Sequence, residues 1–138
     1  MDISKLHDKS HLFSLDIVNP ETDEPVGISM KIRSVSSDDV SAVIRRHTNE
    51  NVELRQKGKT LSAKKLEEQE AEKTAACIAS WDWGENTYGN LGVPADTWEN
   101  KVKVLIEQGW IYQQVAEAAN TFGNFTTQSG KAASKPSK

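Results

Sequence analysis

In two runs, Leu12 to Val18 and Val26 to Val35, apolar and polar positions partly alternate. In "HLFSLDIVNPETDEPVGISMKIRSV", Leu15 and Ile17 share one phase, as do Ile28, Met30 and Ile32. Alternation marks a strand with one buried face, and the polar "NPETDEP" between the two runs carries turn chemistry. The pattern predicts a β-hairpin over 12–35 with its loop around 19–25. A lone hairpin is marginal in water, so its apolar face needs helices or another chain to cover it.

At "SSDDVSAVIRRH" the period lengthens. Val40, Val43, Ile44 and His47 fall three or four apart, the spacing of one helix face, and Ser36 or Ser37 with the following acids can cap the start. A helix is expected over about 37–56, interrupted at Gly58 and Thr60. A second is expected over about 62–81, rich in Ala, Glu, Lys and Gln, with Leu66, Thr74, Cys77, Ile78 and Trp81 on or near one stripe. Its first half is mostly charged, which predicts a rod that touches its own domain mainly at the Ala75 to Trp81 end. Gly84, Gly89, Gly92 and Pro94 then make a loop, with a brief strand around Leu91.

"DTWENKVKVLIEQGWIYQQVAEAANTFGNF" reads as two short helices, about 97–107 and 110–121. Asp96 caps the first, Glu99 reaches back, and Gly109 is the break. The expected fold is α+β, an N-terminal β-hairpin packed with a mainly helical body of about four helices. Residues 1–11 read as a polar N-terminal arm and 12–125 as a single domain. Residues 126–138 have no acid and no large apolar residue, and read as a flexible basic tail.

Length and charge narrow the function classes. A chain of 138 residues fits one domain with one modest core. Its net charge is -3, and the basic run Arg55, Lys57, Lys59, Lys64, Lys65 is bracketed by Glu50, Glu53, Glu67, Glu68, Glu70 and Glu72. That is not the concentrated positive face that phosphate binding needs. Cys77 is the only cysteine, so neither an intrachain disulfide nor a thiolate metal set is expected. No apolar run has the length of a signal or a membrane span, and the expected compartment is cytosolic.

Candidate chemistry is sparse. His7 and His11 are four apart but lie in a polar segment without helical pattern, and His47 follows two arginines that oppose a nearby cation. His47 is expected to be a partly exposed helix residue. Asp38 and Asp39 are adjacent, so on a helix they point about 100° apart and suit the positive helix end instead of flanking one bond. Ser62 and Ser80 have no histidine close in sequence. Cys77 sits on an apolar stripe, where a thiol acts as a small hydrophobe, and "GENTYGNLG" lacks the residues of a P-loop. No catalytic residue, metal site or cofactor is expected.

The aromatic residues carry more information. Trp81, Trp98 and Trp110 fall on apolar stripes and are expected in the core. Trp83, Tyr88 and Phe125 lie in glycine-rich or terminal segments, where they either seal the core or meet a partner. With Ile111, Val115 and Phe122 these residues form the candidate core or partner-binding set. Their neighbours Asp82, Glu85, Asp96 and Glu99 would repel a nucleic-acid backbone, so the expected partner is protein.

The order of these signatures resembles the tail assembly chaperones of long-tailed, siphovirus-type bacteriophages. The resemblance runs over residues 12–125: a hairpin ending "ISMKIRSVSSDDV", an arginine-bearing helix "AVIRRH", a helix finishing "KTAACIASWDWGENTYG", then "TWENKVKVLIEQGWIYQQVAEAANTFGNF". Its most specific pieces are "AACIASWDWG" and the closing stretch, where Trp110, Ile111, Gln114 and Val115 precede Asn124 and Phe125. The resemblance implies a non-enzymatic protein of the host cytoplasm. Such a protein holds the tape measure protein soluble, assists recruitment of tail tube protein, and is absent from the mature virion. It also implies a homo-oligomer and a longer form of the chain made by programmed frameshifting. The polar stretch from Asn49 to Lys65 and the "NPETDEP" turn match no residue the family requires. Two alternatives follow from the residues: a structural virion subunit of the tail or head-tail connector, and a small nucleic-acid-binding regulator or hydrolase.

Overall fold

The computed structural model describes residues 2–126, so residues 127–138 of the basic tail lie outside the described residues. The N-terminal alternation folds into strands β1 (Phe13–Val18) and β2 (Pro25–Ile32), paired antiparallel with Leu15 opposite Met30 and Phe13 opposite Ile32. Ile17, Ile28, Met30 and Ile32 all turn inward and are buried, the outcome that period-two patterning dictates. The helical body comprises α1 (Asp38–Gln56), α2 (Ala63–Ala76), α3 (Trp98–Glu107) and α4 (Gly109–Asn120). The architecture is α+β, a small antiparallel sheet with a mainly helical body of four helices.

The second helix ends five residues earlier than the sequence pattern predicts. After α2 the chain turns into a third strand, β3 (Ile78–Asp82), which pairs antiparallel with β2 so that Met30 faces Trp81 and Ser29 faces Asp82. The spacing of Ile78 and Trp81 fits a helix face, but a short apolar run with β-branched and aromatic residues fits a strand equally. The second backbone edge of β2 decides the matter, because its N–H and C=O groups need partners that a continuing helix could not offer. Trp81 and Trp83 then share one phase and are both buried.

Nor does α2 project as a rod. It lies between α1 on one side and α3 and α4 on the other, with Gln69, Ala71, Thr74 and Ala75 buried. Polar pairs join it to α1: the amides of Asn51 and Gln69 exchange bonds of 3.3 and 2.9 Å, and His47 Nε2 lies 2.7 Å from Glu72 Oε1. His47 is therefore buried, not partly exposed as expected. Its bond to Glu72 across the helix pair gives the buried ring a polar partner.

Several local expectations change for chemical reasons. Thr97, not Asp96, caps α3, accepting the Asn100 N–H at 3.2 Å. Asp96 is drawn instead to Lys101, 2.6 Å away. The break between α3 and α4 falls at Gln108, and Gly109 opens α4. Leu91 lies in a single 3-10 turn, Gly89–Leu91, and not in a strand. Ser37 begins α1 without a side-chain cap bond, and Ser34 Oγ accepts the Ser36 N–H. The polar arm lies against the C-terminal turn Phe122–Phe125: the Asp8 N–H donates to Phe125 O at 2.6 Å, and His7 bridges to Thr126.

Side chains bond a few backbone groups on each outer strand of the sheet. The Gln114 carboxamide accepts from the Val18 N–H at 3.0 Å and donates to Val18 O at 2.9 Å, on β1. On β3, Lys101 Nζ donates to Ile78 O at 3.2 Å and Asp96 accepts from the Trp81 N–H at 3.4 Å. Covering edge groups in this way limits edge-to-edge association.

Candidate protein-binding surface

The aromatic end of β3 is a packing joint. Trp81 and Trp83 meet edge to face with ring centroids 5.4 Å apart, and Trp83 meets Tyr88 the same way at 5.7 Å. Such pairs add stability beyond the area they bury. Gly84 permits the approach: its φ is +60°, and a Cβ there would stand 3.2 Å from Gly27 O. The Tyr88 hydroxyl donates to Glu107 Oε1 at 2.7 Å and accepts from Gln108 Nε2 at 3.1 Å. Burial, followed by the bond to Glu107, raises the tyrosine's pKa. Hydrogen bonds from Tyr88 and Lys103 hold the Glu107 carboxyl below its ordinary range.

The nine candidate residues do not form one surface. Trp81, Trp83, Ile111, Val115 and Phe125 are buried in the core. Tyr88 and Trp110 are partly buried against it, and the Trp110 indole N–H donates to Gln108 Oε1 at 2.9 Å. Trp98, expected in the core, is exposed: it opens α3, and the buried residues of that helix are Lys101, Val104 and Leu105. Phe122 is also exposed and stacks on His7 at 5.3 Å.

A different feature has the form of a protein-binding surface. Between α2 and the α3–α4 junction lies an open cleft of about 420 Å³, lined among others by Leu66, Glu67, Glu70, Leu105, Ile106 and Tyr112. Leu66 is 50% exposed and Ile106 37% exposed, so the two aliphatic side chains sit in contact with water where a partner would cover them. The sequence shows each of these residues on its own helix stripe. Their meeting depends on how three helices cross, and periodicity within one helix carries no information about that.

His7 reaches Ser34 Oγ at 3.4 Å and His47 reaches Glu72, while His11 joins neither. Among the described residues no group of three or more His, Cys, Asp or Glu is placed to hold a metal ion, and no helix is long and apolar enough to cross a membrane. Cys77 is buried, and desolvation pushes its thiol up to about 11, against the pull of Lys73 and Arg33. Because the thiolate is the reactive form, iodoacetamide at about pH 8 is expected to alkylate the native protein far more slowly than the urea-unfolded chain. Mass spectrometry of the two time courses checks this, and equal rates would show that the thiol is accessible.

The chain matches no protein-family model, no curated protein and no solved structure.

Proposed function

We propose that this chain is a tail assembly chaperone of the siphovirus type, a non-enzymatic protein that covers apolar helical surface on the tape measure protein and assists recruitment of tail tube subunits. The observation that carries the reading is the open apolar cleft beside a largely charged helix, with Leu66 and Ile106 presented to solvent. It is joined to the ordered resemblance of residues 12–125. A long helical client exposes more apolar surface than it can bury before assembly, and a factor that binds the exposed form keeps it soluble by mass action. A small, open cleft suits a factor that must also leave, since small interfaces release readily. On this reading the protein acts in the host cytoplasm as a homo-oligomer, together with a frameshifted longer form, and is absent from the finished virion.

Co-expression with the tape measure protein of the same genome tests the reading. The expected result is a soluble complex recovered through either protein. No binding and no gain in solubility, with or without the extended form, would reject it. The alternative is a structural virion subunit of the tail or head-tail connector. Mass spectrometry of purified virions separates the two, since a structural subunit must be present there in many copies.

A further inference from the structure

We propose that the cleft between α2 and the α3–α4 junction takes a basic amphipathic helix. Its aliphatic side chains would lie against Leu66, Leu105 and Ile106, and its lysines or arginines beside Glu67 and Glu70. The inference rests on the protein-binding reading above and names the chemistry of the partner at that site. Two carboxylates line the cleft and no lysine or arginine does. Glu70 is 3.2 Å from Lys73, whereas Glu67 makes no ion pair among the described residues. An apolar floor with an acidic wall favours a cationic rim on the ligand, since complementary charge speeds encounter and rejects the opposite sign.

The walls also choose the partner's backbone. All three are helices, whose backbone groups bond within themselves, so an extended peptide would find no strand edge to pair with. A helix arrives with its own backbone satisfied and needs only side-chain contacts. From Ala63 to Ala71 the lining of α2 covers nine residues, about 12 Å of axis, enough for two turns of a partner. A second copy of this chain is disfavoured, because a two-fold contact through this cleft brings the same acidic lining to the interface from both sides.

The probe is a synthetic amphipathic helix of about 18 residues with leucines at i, i+3, i+4 and i+7 and lysines on both flanks, compared with a twin bearing glutamates instead. Anisotropy titration of the full chain is expected to show binding of the lysine peptide and at least about tenfold weaker binding of its twin. Leu66→Asp, at an exposed position, is expected to abolish binding while circular dichroism stays native. The double variant E67K/E70K is expected to reverse the preference between peptides. Equal affinity for both peptides, binding of neither, or binding undiminished in Leu66→Asp would overturn the proposal. So would a wild-type oligomer that Leu66→Asp converts to monomer, which would assign the cleft to a second copy. If the chain solubilises the tape measure protein yet binds neither peptide, this inference fails and the functional reading stands; peptide binding without tape measure binding gives the reverse.

Discussion

Trp83→Ala is expected to destabilise the protein by about 3–5 kcal/mol, whereas Trp83→Phe should cost only about 1–2 kcal/mol. The indole is buried, and its ring sits edge to face between Trp81 and Tyr88. Alanine leaves a cavity that β3, held on one side by β2, cannot collapse into, so both transfer and packing energy are lost. Phenylalanine keeps an aromatic edge in the joint. It also removes an N–H that has no hydrogen-bond partner in the described structure, and loss of an orphaned buried donor offsets part of the lost area. Since small domains are stable by about 5–15 kcal/mol in all, the alanine variant should shift the urea midpoint by a large fraction of its value. The phenylalanine variant should shift it little. A Trp83→Ala variant with native stability and impaired client binding would make the residue a partner contact and not a core one.

The contrast between Trp83 and Leu66 shows what the sequence could and could not disclose. Alternation in 12–35 predicts both strands of the hairpin and their buried face, because period two leaves only one way to hide Ile17, Met30 and Ile32. Helix periodicity likewise reveals α1, α3 and α4. What it misreads is the stretch from Cys77 to Trp81, whose outcome depends on a vacant strand edge over forty residues earlier in the chain. His47 is hidden for a similar reason, since its partner Glu72 lies on another helix and nothing local to "AVIRRH" points to it. The candidate residues are large aromatic and aliphatic side chains, and most of them lie in or against the core. The open cleft is made by Leu66 and Ile106, two ordinary aliphatic residues whose exposure is decided only when α2 meets α3.

Asp96→Ala is expected to cost about 2–3 kcal/mol, somewhat less than the ~3–5 kcal/mol typical of breaking a fully buried pair. Lys101 is 8% exposed, with its ammonium 2.6 Å from Asp96 and 3.2 Å from Ile78 O. Removing the carboxylate leaves that ammonium with a single carbonyl partner in a poorly solvated place. The side chain of Asp96 is itself 40% exposed, so solvent already screens part of the attraction, and the lower figure follows. Lys101→Met keeps most of the packed stem but leaves Ile78 O without its donor, for an expected cost of about 1–2 kcal/mol. Once the lysine is gone the carboxylate keeps only its 3.4 Å bond from the Trp81 N–H, so the double variant D96A/K101M should be only slightly less stable than Lys101→Met alone. Denaturant midpoints for the four proteins close the cycle, and strictly additive effects would mean that the two groups are not coupled. The pair also occupies the outward backbone of β3 at Ile78 and Trp81, which gives Asp96→Ala a second signature. With the Trp81 N–H uncovered, light scattering should show association that rises more steeply with concentration than that of the wild-type protein.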